Sequence, residues 1–445
     1  METSEDGPRS APTRATASRE SAEGWRWPVA VGLLHAVVFA PLVLGALFRP
    51  GVLFPNLWLW HAARIPETFR TPTEPIQPHF GWPGLSRLVD LLLPGSDPRV
   101  AGAAVSLFAA AAFGVVLYLL FRRCDDGQLL MPRVAAAGAS VVVALIESPA
   151  ALQGWKAVAD PDRSFVPMYY PFVPTTFASM ALNVAAVWMT AQLVLQRSTP
   201  RQRTWLPWVV VAACIAKPNL MPSLAVVAFG VALVMAQRRT ADRPDRLRVV
   251  PEVAWRVVLP ALVVTGLQFT VLAELSPPEL SGGLAIRPFY ELEALGGFGW
   301  QFWLILLFPL GALLVAPRRM LGDMSVLLCG GCFLVGLAAT VVFARTGETP
   351  YQGGVGGDVL QMASVAATTM VVFLARRAVE LRRNGSLGTA AAVTLVVLLV
   401  PYVAAGAATY RCHSGLVECY PASDAPTWPQ PSIDEPIRFP GAEGP

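Results

Sequence analysis

Residues 100–121 read VAGAAVSLFAAAAFGVVLYLLF, a run with no charged residue. A helix of that length rises ~33 Å, and the hydrocarbon core of a bilayer is ~30 Å thick. Charges stop the run at both ends, with Asp97 and Arg99 before it and Arg122 and Arg123 after it. The stretch therefore reads as a helix that crosses a membrane.

Ten more stretches of the same kind follow from the same test. The full set lies near 28–48, 100–121, 134–152, 173–195, 204–217, 219–236, 255–274, 300–316, 323–343, 358–375 and 386–409. The fifth ends at Lys217-Pro218 and is short, so the fifth and sixth form a broken or tightly turned pair. Composition agrees: 54% of the 445 residues are hydrophobic and 14% are charged, where a soluble domain carries about 25% charged residues. The expected fold is all-α, a polytopic transmembrane helix bundle with about eleven spans.

Arginine placement orients the bundle. With the N-terminus in the cytoplasm and alternating spans, 22 of the 34 basic residues fall on the inner segments, the N-terminal tail included, among them Arg122, Arg123, Arg201, Arg203, Arg256, Arg318, Arg319, Arg376 and Arg377. Short inner loops rich in arginine are the positive-inside pattern, so the N-terminus is inside and the C-terminus outside a cell membrane. Residues 1–27 read as a disordered cytoplasmic tail, 28–409 as the transmembrane domain, and 410–445 as a Pro-rich outer tail. No cleavage pattern follows the first apolar run, which is read as a retained helix. The basic residues form no single face, so nucleic acid is not an expected partner; membrane lipid is.

The long connections, 49–99, 153–172 and 275–299, all fall outside and are rich in Pro, Trp, Tyr and Gly. Long, complex loops carry function more often than tight ones. The first holds Glu67, Glu74 and His79 among aromatics, a mixture that suits a sugar; a Trp belt at headgroup level is the competing reading. The second brings Tyr169 and Tyr170 to the mouth of the fourth span, again against a belt reading. The fifth outer loop carries Arg345, Glu348 and Gln352 in a glycine-rich stretch, or is a plain hairpin between spans nine and ten. Glu147 lies near the outer end of span three, where solvation is the simple account, and Asn183 lies within span four.

Lys217-Pro218-Asn219 is the sharpest signal. A lysine at an unwound helix end offers a cation to an anion such as a phosphate, with Asn219 beside it. The alternative is a lysine that snorkels to the outer interface. Cys412 and Cys419 flank a short polar stretch after the last span and suit a small external disulfide loop. Cys329 and Cys332 form a CxxC inside a span with no second ligand pair, and the histidines are too dispersed for a metal site.

The layout resembles the GT-C superfamily of membrane glycosyltransferases: a cytoplasmic N-terminus, ten or more spans, a large first outer loop and a mid-chain Lys-Pro segment. Lys217-Pro218-Asn219 is similar to the Lys-Pro segment of bacterial polyprenol-dependent mannosyltransferase-like families. That resemblance implies an outward site, a polyprenyl-phosphate-linked sugar as donor, and an envelope acceptor. Glu74 would then act as base, with Glu67 and Glu348 as the other catalytic carboxylates. Lys217 and Arg345 would steady the departing phosphate, and Asn219, His79, Tyr169, Tyr170 and Gln352 would line the substrate. No cofactor is required, and a divalent metal is compatible but not demanded. The chain departs from the pattern in having no acid between Arg49 and Arg64, where such enzymes carry their early Asp. A lipid or glycan flippase, a transporter, and a non-catalytic envelope-assembly protein are the competing classes.

Overall fold

The computed structural model describes residues 24–48, 81–93, 95–124, 128–147, 174–237, 248–272, 303–345 and 357–414, with Ala62, Ile65, Pro149, 284–286, Pro288 and Phe289 between them. The described chain is a helical bundle. Its helices are α1 Arg26–Phe48, α2 Gly81–Leu92, α3 Pro98–Arg122, α4 Arg133–Ala144, α5 Pro174–Val194, α6 Pro200–Ala216 and α7 Met221–Gln237. They continue with α8 Val249–Leu267, α9 Leu307–Val315, α10 Met324–Val342, α11 Gly357–Arg383 and α12 Thr389–His413. Within α8 lies a π-helical turn, Ala254–Val258, and another, Gln268–Leu272, continues it.

Helix occupies at least part of each of the eleven apolar stretches. Among the described residues, seven helices are long and apolar enough to cross a membrane: those in α1, α3, α5, α8, α10, α11 and α12. α6 and α7, at 17 residues each, reach only ~25 Å.

The helices depart from the sequence reading in three places. α4 stops at Ala144 rather than running to 152. Pro149 has no N–H for the carbonyl four residues back and disfavours helix before it. The eighth stretch becomes α9 only from Leu307. Before that helix, the Tyr402 hydroxyl donates to the Ile305 carbonyl at 2.7 Å and accepts the Phe308 N–H at 3.0 Å. Lastly, the connection between the first two apolar stretches contains α2, which buries Trp82 and Ser86 but leaves Leu85, Leu88 and Leu91 exposed. The all-α class holds for the bundle; the one strand pairing among the described residues is short, with Leu284–Ile286 (β1) antiparallel to Phe343–Arg345 (β2) and Leu284 opposite Arg345.

Side-chain contacts fix the directions of the helices. Arg99 stacks on the Phe48 ring at 5.1 Å while Gly32 lies against Ala111, so α1 and α3 are antiparallel. Gly336 meets Ala363 and Asp323 meets Arg376, so α10 and α11 are antiparallel. Arg256 donates to the Arg203 carbonyl and Gln268 to that of Cys214, so α6 and α8 are parallel, with α7 returning between them. The contacts sort into two ends. Arg123, Arg319, Arg376 and Arg377 gather at one, linked by Arg376 to the Arg123 carbonyl and Arg377 to the Arg319 carbonyl. Gly81, Trp82 and the close of α6 gather at the other, where Trp82 donates to Ser106 near the start of α3.

The outside of the bundle is apolar. Phe108 and Leu314 are 74% and 83% exposed, and water would not tolerate such a surface on so many helices. Inside, close approach relies on small residues, since lipid supplies no hydrophobic drive between helices. A Cβ on Gly336 would stand 2.6 Å from the Ala363 nitrogen.

Candidate functional site

The interruption between α6 and α7 is dictated by one proline. α6 starts from a capping box, in which the Thr199 hydroxyl accepts the Gln202 N–H and the Gln202 side chain accepts the Thr199 N–H. It runs to Ala216 and stops because Pro218 forces the residue before it out of helical geometry. Lys217 is accordingly extended, at φ −167° and ψ 120°, while its N–H still donates to Ala213 at 2.9 Å. Pro218 also cannot bond the Cys214 carbonyl, four residues back. The Gln268 side chain fills that role, donating to the Cys214 carbonyl at 2.8 Å. α7 then begins at Met221.

Two polar side chains sit in this gap, and both are enclosed. Lys217 and Asn219 are each 4% exposed, and neither is without an interaction partner. The lysine is therefore held within the protein and does not snorkel outward. Gly81, at the start of α2, seals the gap from the side: a Cβ there would stand 2.7 Å from the Ala216 Cα. Only glycine allows that approach. The site lies at the end of the bundle opposite the arginine cluster.

Of the other expected site residues, Arg345 closes strand β2 and Cys412 lies in the last turn of α12; both are described by backbone alone. Glu67, Glu74, His79, Tyr169, Tyr170, Glu348, Gln352 and Cys419 lie outside the described residues. The structure thus brings Lys217 and Asn219 together and does not bear on the carboxylates or on the Cys412–Cys419 bridge. Among the described residues no cluster of His, Cys, Asp and Glu has the make-up of a metal site.

Three features escaped the sequence. Glu147 is not simply solvated: it is 4% exposed and lines a small cavity with Phe39, Phe177, Thr409 and Tyr410. It is buried because Gly406 lets α12 close directly onto the Leu145 carbonyl. The second feature is a polar staple at the arginine-rich end. Arg376, 1% exposed, lies 3.7 Å from Asp323 and donates to the Leu120 and Arg123 carbonyls at 3.1 and 3.3 Å. Asp323 in turn caps α10 by accepting from Ser325 and Val326. The third is a buried polar face on α5. At the other end, Asp97 caps α3, and its hydrogen bonds with Arg99 hold its carboxyl below the usual carboxylate range.

Together these observations define an α-helical membrane protein whose interior carries a few enclosed charges. No family model, no curated protein and no solved structure matches the chain.

Proposed function

We propose that this protein is a multi-pass glycosyltransferase of the plasma membrane, with about eleven crossings, its N-terminus inside and its C-terminus outside. It moves a sugar from a polyprenyl-phosphate carrier to an envelope acceptor. One observation supports this reading: a lysine and an asparagine, both enclosed, sit where a proline breaks a helix, at the end opposite the arginines. A lysine cation held at a break between two helices offers a compact point charge of the kind that recognises a lipid-linked phosphate arriving from the bilayer.

In this mechanism a loop carboxylate, Glu74 first and Glu67 or Glu348 otherwise, takes the proton of the acceptor hydroxyl. The oxygen attacks the anomeric carbon with inversion, and the carbon–phosphate oxygen bond breaks. Lys217, with Arg345, stabilises the charge that develops on the departing phosphate. Asn219, His79, Tyr169, Tyr170 and Gln352 orient the sugar.

The test is transfer of radiolabel from polyprenyl-phosphate sugars into envelope glycan by membranes containing the protein. Lys217→Ala and Glu74→Gln are expected to abolish incorporation while leaving the protein in the membrane. Absence of transfer by the unaltered protein across several sugars would count against the enzyme and favour a flippase or an assembly factor. A tag on the C-terminus reachable only from the cytoplasm would invert the topology on which the outward site depends.

A further inference from the structure

α5 carries hydroxyl and amide groups along one buried face. Thr176, Ser179, Asn183 and Thr190 are 3%, 0%, 0% and 0% exposed. At about 100° per residue they fall within about 60° of one another around the helix. They extend over ~21 Å of helix, most of the depth of a ~30 Å hydrocarbon core.

The hydrogen bonding of this face is unusual. Helical Ser and Thr in apolar surroundings turn back to the carbonyl one turn earlier. Ser106, Thr340, Thr368 and Thr369 all do so, onto Gly102, Gly336, Ser364 and Val365. On α5 the pattern fails. The Thr176 and Thr190 hydroxyls and the Asn183 carbonyl oxygen have no partner among the described residues. Ser179 alone turns back, donating to the Thr176 backbone carbonyl and accepting from the Asn183 amide. A buried polar atom left unpaired carries its full desolvation penalty, and here three share one face. Trp188 and Gln192, also unpartnered, fall on the other side of the helix and do not extend it.

Chemistry narrows what such a face would hold. It offers acceptors and hydroxyls that serve as either donor or acceptor, and it has no ionisable group. An ion is therefore disfavoured, and a small neutral hydrogen-bonding species fits. α5 and α6 form a hairpin through a short connection, so the Pro174 end of α5 lies at the same end as Lys217 and Asn219.

We propose that this face of α5 lines a file of water that enters from the outward end and reaches at least as deep as Asn183. The proposal takes its outward direction from the orientation given above and is otherwise independent of the transferase chemistry, so either can fail without the other.

Cysteine accessibility tests it in sealed right-side-out vesicles. Asn183→Cys and its neighbour Val184→Cys, which sits at the same depth off the polar face and is 0% exposed, are treated with a small cationic methanethiosulfonate from outside. The unsubstituted chain sets the background. The thiolate is the reacting species and forms only where water reaches, so Asn183→Cys is expected to react at least about tenfold faster than Val184→Cys. Equal rates, or no reaction at position 183, would overturn the proposal. Thr176→Val, on the stretch the proposal makes wet, covers the case in which the cysteine variants fail to fold. In a wet seam the lost hydroxyl lowers the thermal midpoint; in a dry one the exchange removes an orphan, so an unchanged or raised midpoint would also overturn it.

Discussion

Arg376 provides a direct measure of what polar groups contribute inside this bundle. Replacement by methionine keeps most of the volume and removes the guanidinium. Two consequences follow from the geometry. The Asp323 carboxylate, 7% exposed, loses the guanidinium 3.7 Å away. In a medium of effective dielectric ~20 the attraction at that distance is ~4 kcal/mol. The Leu120 and Arg123 carbonyls, at the close of α3, lose donors at 3.1 and 3.3 Å. Hydrogen bonds to a charged donor contribute ~1.5–3 kcal/mol each, and these long ones belong at the lower limit. The terms overlap, and removing one partner of a buried pair costs ~3–5 kcal/mol, which is the loss expected for Arg376→Met.

Asp323→Asn keeps an oxygen to accept from Ser325 and Val326 but removes the charge. The double variant therefore strands no charge and should recover part of the loss, with a coupling of at least ~1.5 kcal/mol. Reversible unfolding of the four proteins in mixed micelles measures it. A loss below ~1 kcal/mol for Arg376→Met, or additive single effects, would contradict a coupled staple.

Three further outcomes are expected. Gly336→Leu should destabilise by ~1–3 kcal/mol or more, because even the Cβ meets the Ala363 backbone; a neutral effect in thermal melts would mean that α10 and α11 separate freely. Tyr402→Phe should cost ~1–3 kcal/mol by orphaning the Phe308 N–H, and hydrogen exchange should quicken first at the start of α9. Asp97→Ala removes a cap worth ~1 kcal/mol near neutral pH. Because the folded carboxyl titrates below its unfolded value of about 3.9, its contribution is present above that value and fades as pH falls through the folded one. The gap between Asp97→Ala and the unaltered protein should therefore close in acid, and a gap that widened would contradict the assignment.

Much of the fold is legible in the sequence because lipid is a simple solvent. An apolar run of the right length must be helix, as at Val100–Phe121, and a proline must leave a carbonyl needing a new partner, as at Pro218. What could not be read is pairing between segments far apart in the chain. Nothing local to Arg376 indicates that it will meet residue 120, and nothing in Gln268 indicates the Cys214 carbonyl. α2 was missed because a helix of 12 residues is invisible to a test tuned to bilayer thickness. Its leucines at 85, 88 and 91 were nonetheless a readable helical period. Of the candidate site, the enclosure of Lys217 depends on Gly81 and the Pro218 break, and only the break is visible in sequence.

The wide turn in α8 sets the register of its contacts with α6. Arg256 and Gln268, twelve positions apart, reach Arg203 and Cys214, which are eleven apart on a parallel neighbour. Uniform winding at about 100° per residue would leave the twelve-residue pair about 120° out of phase, whereas eleven steps return to within about 20°. The bulge at Ala254–Val258 absorbs the surplus residue. Removing one residue from this stretch would let an unbroken spiral make the same two contacts, so α8 is expected to accept a one-residue deletion here that a regular helix would not.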